Sequence, residues 1–125
     1  MSILAEDVAI NLPEGTQLLG PFTIPDGLTG IKATIYLNSA VNPSFWSSPT
    51  TILSLWLLVQ KPDLSYERFC GIQNQPGGPR TSDGIPLLYT NIACHPLPSG
   101  TNRQMKVELI VTGPNLKSKV TVEAY

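Results

Sequence analysis

The reactive and ligating side chains come first. Cys70, Cys94 and His95 bring a thiol and an imidazole into one chain of 125 residues, the ingredients of a nucleophile–base pair. Cys94 and His95 are consecutive, and consecutive residues of a strand project to opposite faces, so those two cannot easily address each other. Cys70 with His95 stays geometrically open. Neither pairing comes with a recognisable oxyanion device or a third, orienting group. A lone histidine before Pro96 reads as a loop residue. A zinc site wants about four ligands at short spacing, and these three residues form neither a C-x-x-C nor an H-x-x-x-H pair. Asp63 and Glu67 flank a turn, and Asp83 lies in a long loop. Two acids are the equipment of a glycosidase, and loop acids can hold calcium, but no D-x-D-x-D spacing occurs. Asp26 and Asp83 each precede a glycine, which is ordinary turn chemistry. Gly77-Gly78-Pro79-Arg80 lacks the lysine, the hydroxyl and the following helix of a phosphate loop. Asn42-Pro43-Ser44 is blocked as a glycosylation acceptor by its proline. The expectation is a non-enzyme with no catalytic residue, metal or cofactor.

Binding chemistry has more to work with. Phe45, Trp46, Trp56, Tyr66 and Tyr89 are the aromatics that could face a ligand. Phe45 and Trp46 sit in a polar, proline-containing loop, 38–49, whose asparagines suit a carbohydrate platform. The competing use of such rings is to fill cores and anchor loops.

The elements that must carry these residues are strands. Twelve prolines and ten glycines cut the chain into short pieces, and both are poor in helix interiors. Ile31, Ala33, Ile35 and Leu37 alternate with Lys32, Thr34 and Tyr36, the period of a half-buried strand. The same alternation runs through 103–112, with Met105, Val107, Leu109 and Val111 inward, and through 117–125, with Val120, Val122 and Ala124 inward. These last two segments flank Gly113-Pro114-Asn115 and read as a hairpin. Segments 16–24, 66–73 and 87–94 supply further strands, with turns at Pro25-Asp26-Gly27 and Pro62-Asp63-Leu64-Ser65. Residues 1–15 read as an N-terminal arm or a first strand, and 16–125 as a single domain. The expected fold is all-β, an antiparallel β-sandwich or jelly roll of about eight strands.

One strand breaks the pattern. From Thr50 to Lys61, Leu53, Leu55, Leu57 and Val59 share one face, while Ile52, Trp56 and Leu58 occupy the other. A helix is the alternative, but Pro49 and Pro62 flank the segment and Thr50, Thr51, Ile52 and Val59 are β-branched, so a strand is preferred. A sheet normally turns only one apolar face inward. The second set is therefore either covered by the Phe45-Trp46 loop or buried against another subunit, and Ile52, Trp56 and Leu58 are the candidate interface. Charged residues make up only 14% of the chain, against about 25% in an average protein, and interfaces are depleted in lysine and glutamate. Both features favour a homo-oligomer or an assembled particle.

Other classes are poorly supported. The formal net charge is -1 and no basic run exists, so nucleic acid is not an expected partner. No apolar stretch approaches the roughly 18 residues of a membrane span, and the N-terminus lacks the cationic start and apolar run of a signal peptide. Two cysteines do not make a disulfide framework, and buried free thiols are the favoured reading of Cys70 and Cys94.

The stretch 30–37 followed by Leu53-Ser54-Leu55-Trp56-Leu57, and the run from Pro96 through Thr101-Asn102-Arg103 into 107–113 and Val120-Thr121-Val122, resemble the small jelly-roll proteins encoded among tailed-phage structural genes. The resemblance covers most of the chain after residue 16, on generic β patterns. It implies a capsid decoration protein at the virion surface, made in the host cytoplasm. Its implied partners are the major capsid protein or another virion protein, and sister subunits, often around a threefold axis, as in a homotrimer. It brings no catalytic residues. A lectin-like carbohydrate-binding module, with a glycan as partner, is the alternative.

Overall fold

A computed structural model of the chain describes residues 2–12, 15–36, 52–76, 89–112 and 116–125. The described residues form eight strands and no helix: β1 (Ser2–Leu12), β2 (Gly15–Thr23), β3 (Ile31–Tyr36), β4 (Ile52–Gln60), β5 (Tyr66–Pro76), β6 (Tyr89–Cys94), β7 (Gln104–Thr112) and β8 (Leu116–Ala124). They make two four-stranded sheets with orders β1-β8-β3-β6 and β2-β7-β4-β5, every pairing antiparallel. The expected antiparallel β-sandwich is the fold observed. Residues 2–12, read as an arm or a strand, are an edge strand of the first sheet, broken by register shifts between Ile3 and Ala5 and between Ala5 and Val8. The segment that could have been a helix is the strand β4.

The alternation explains the core. Ile31, Ala33 and Ile35 of β3, Ile92 of β6 and Val120, Val122 and Ala124 of β8 face Leu19 of β2, Leu55, Leu57 and Val59 of β4 and Met105, Val107 and Leu109 of β7. All are buried, each large aliphatic side chain among them contributing about 1.5–3 kcal/mol. Leu4, Ala5 and Val8 pack partly buried against the rim of this core.

Two expectations are corrected. β7 and β8 do not pair as a hairpin. β7 lies between β2 and β4, and β8 lies between β1 and β3. Clean alternation shows that a strand has one buried face, but two strands facing each other across the core have the same alternation as two strands side by side. Nor are Cys70 and Cys94 free thiols. They are joined as a disulfide, with Cα atoms 6.6 Å apart, within bridging range. β5 and β6 are edge strands of different sheets, so the bridge fastens one sheet to the other along one margin.

Strand direction sorts the connections. Leu12 pairs with Leu116, Gly15 with Val111, Ile52 with both Thr112 and Pro76, and Tyr36 with Tyr89. These strand ends gather at one end of the sandwich. Ile31 pairs with Cys94 and Ala124, Thr23 with Gln104, and Gln60 with Tyr66 at the other. At this second end the turns are tied together. Arg103 donates to the carbonyl oxygens of Ile24, Pro25 and Leu28, closing the β2–β3 connection. Asn102 donates to Gln60 Oε1 and the Lys61 carbonyl, which joins the β6–β7 connection to the β4–β5 hairpin.

Candidate functional site

The outer face of β4 carries two of the three expected interface residues in described positions. Trp56 pairs across the sheet with Glu108 of β7 on one side and Gly71 of β5 on the other. Gly71 has no side chain, and a Cβ there would overlap the Trp56 ring and stand 2.5 Å from the Leu55 carbonyl oxygen. The indole therefore lies on the β5 backbone. Arg68 reaches over it, its guanidinium carbon 5.1 Å from the ring centroid, while Nε and Nη2 contact Glu108 Oε1 at 2.8 and 2.7 Å. Lys106 places Nζ 4.2 Å from the Tyr66 ring centroid. Leu58 stands in register between Lys106 and Arg68 and is only 8% exposed. The long side chains of β5 and β7 thus lie beside the second apolar face, their charged heads on rings and carboxylate and their stems along the sheet. Each cation–π contact at such a half-exposed position contributes about 0.5–1 kcal/mol.

Leu58 is accordingly buried within the single chain, and Trp56 is half-buried under Arg68. Ile52 opens β4, and its side chain lies outside the described residues, as do Phe45 and Trp46. Next along the Trp56 row, beyond Glu108, Leu18 of β2 is 53% exposed.

His95 is not a partner for a thiol. Cys94 is committed to Cys70. The His95 ring stacks on Tyr125 with centroids 5.6 Å apart, and its Nε2 is hydrogen-bonded to Thr29 Oγ1 at 2.8 Å. Asp63 is engaged by its own turn. Asp63 accepts from the Ser65 hydroxyl at 2.6 Å and the Ser65 amide at 3.0 Å. These two bonds, the hydroxyl's first, hold its carboxyl below the usual carboxylate range. The turn they brace is fully supported above that range and loses the support as pH falls through the lowered value.

A second surface was not anticipated. A cleft of about 440 Å³ lies between the β4–β5 hairpin and the β6–β7 connection, lined by Lys61, Pro62, Glu67, Arg68 and Phe69 on one side and by Pro98–Thr101 on the other. Beside it the hairpin turns through Lys61–Ser65, closed by Leu64 N–H to the Lys61 carbonyl and by Lys61 N–H to the Ser65 carbonyl. The fourth residue of this turn takes a left-handed backbone and is usually glycine. Here it is Leu64, at φ 74°, a conformation that costs a residue with a side chain about 1–2 kcal/mol. Its side chain is 68% exposed, and Phe69, on the cleft wall, is 37% exposed. Pro62-Asp63 announces the turn in the sequence. Nothing there shows that leucine holds the glycine position.

No family model matches this chain, and no curated protein matches it either.

Proposed function

We propose that this chain is a non-enzymatic virion structural protein, a decoration protein that binds a capsid shell and sister subunits. The strand order carries the reading. β1 pairs with β8, β2 with β7, β3 with β6 and β4 with β5, one long hairpin rolled into two sheets. We take this as the jelly roll, an architecture used by capsid and lectin domains. The step from fold to role is analogy. It is supported by the 14% charged residues and by the exposed Leu18, Leu64 and Phe69. The inter-sheet bridge suits a protein that acts outside the cell, where disulfides persist. Immunogold electron microscopy of particles from a lysate of the source host tests it. The expected result is regular labelling of the capsid surface with antibody to the purified chain. Labelling absent from intact particles overturns it.

The alternative is a carbohydrate-binding module. The strand ends that flank 37–51 and 77–88 lie at the same end of the sandwich, and the first stretch carries Phe45 and Trp46. Binding on a glycan array that disappears in Trp46→Ala supports this alternative, and an array without binding removes it.

A further inference from the structure

We propose that the tip of the β4–β5 hairpin and the cleft beside it form the contact between two copies of this chain. The proposal names the sister-subunit surface of the reading above and rests on that reading only for the existence of an oligomer. Three observations converge. Leu64 holds a left-handed backbone while its side chain is 68% exposed, so the backbone bonds of the turn could be made as well by glycine and the leucine side chain buries little in return for the strain. Strain kept at a surface position points to a role outside the isolated chain. The cleft beside it, about 440 Å³, is lined in part by Phe69, itself 37% exposed, and has room for such a side chain. Finally, the cleft carries both signs of charge. Lys61 and Glu67 line it, and neither makes a salt bridge among the described residues, although Lys61 also acts at longer range on the Asp63 carboxylate of its own turn. Arg68 is held by Glu108.

A surface with an apolar knob, an apolar hollow and charges of both signs outside any salt bridge among the described residues, Lys61 of one sign and Asp63 and Glu67 of the other, can complement itself. A two-fold axis beside the hairpin brings Leu64 of each copy to the Phe69 cleft of the other and sets Lys61 of each against Glu67 of the other. Such reciprocal contacts define a dimer with the same patch on both subunits. A partner of one charge would leave either Lys61 or Glu67 facing its own sign, which is why a second copy is the occupant that fits. The patch is small, so a weak dimer is expected.

Sedimentation equilibrium on the full chain tests this, from about 1 µM to about 1 mM, a range that brackets weak dimers. The wild type is expected to dimerise reversibly. Leu64→Gly is expected to weaken association about tenfold or more while its melting temperature stays equal or rises, because glycine relieves the backbone strain. That combination separates a lost contact from a damaged fold. Lys61→Glu and Glu67→Lys are each expected to weaken the dimer, and the double reversal to restore it. A wild-type monomer throughout the range overturns the proposal. So does an oligomer indifferent to Leu64→Gly and to both reversals. In that case the chain still assembles, but through another surface, and the capsid reading stands or falls on immunogold labelling alone.

Discussion

At Gly71 the missing side chain lets an indole lie flat on a β-strand, and the space is already full. A methyl group there meets the Trp56 ring and the Leu55 backbone together, and the Leu55 backbone cannot retreat, because β4 is paired on both sides. Gly71→Ala is therefore expected to destabilise the fold by about 1–3 kcal/mol, the usual cost of overpacking, measured by denaturant unfolding. Arg68→Ala makes a useful contrast. It removes a cation–π contact and an ion pair whose arginine side chain is 47% exposed, so its loss is expected at about 1 kcal/mol or less. The two variants bear on the same ring from opposite sides. Their difference reports whether Trp56 is held by the backbone beneath it or by the charge above it. Gly71 gave no signal in the sequence, where it reads only as a small residue inside a strand next to a cysteine.

The elements divide sharply into those that local pattern reveals and those that only long-range pairing decides. β3, β7 and β8 are legible because each alternates apolar and polar residues, β4 because prolines flank a run with β-branched residues, and the turn between β4 and β5 because Pro62-Asp63 marks it. The partnership of β7 and β8 was misread because a short Gly-Pro-Asn connection joins strands in one sheet as readily as it carries the chain across to the other. The Cys70–Cys94 bridge was misread for a related reason. The spacing of two cysteines shows nothing until the fold brings two sheet margins together. The surplus of apolar residues in β4 stands out in the sequence, and part of its cover comes from neighbours in the same sheet. Lys106 and Arg68 flank Leu58 in register, and their long stems are counted as charge when a sequence is read. The bridge also makes a prediction at this scale. It closes a loop between positions 24 residues apart, for which the chain-entropy argument gives a contribution of about 3.5 kcal/mol. Denaturant unfolding with and without a thiol reductant should show a loss of that order. Non-reducing and reducing mass spectra should differ by two hydrogens. Equal stability in both conditions would mean that the sheets stay together without the clamp.

For the whole molecule, the rolled hairpin decides what its surface can offer. One end is bound together by Arg103 and Asn102 into a single hydrogen-bonded rim, and the Leu64 turn extends from that rim. A hydrogen-bonded rim with an apolar projection suits the attachment proposed above, whereas the strand ends flanking 37–51, whose aromatics underlie the carbohydrate reading, lie at the opposite end. The nesting of the pairs carries a further consequence, in time and not in space. β4 and β5 meet across a five-residue turn, β3 and β6 across much more of the chain, and β1 reaches β8 only when Ser2 comes beside Ala124. Loop closure costs more as the loop lengthens, and folds dominated by distant pairings form slowly. The roll is thus expected to close from its centre outward. Pulse-labelled hydrogen exchange during refolding should protect the amides of β4 and β5 first and those of β1 last. The turn at Leu64 would then be the place where the fold begins.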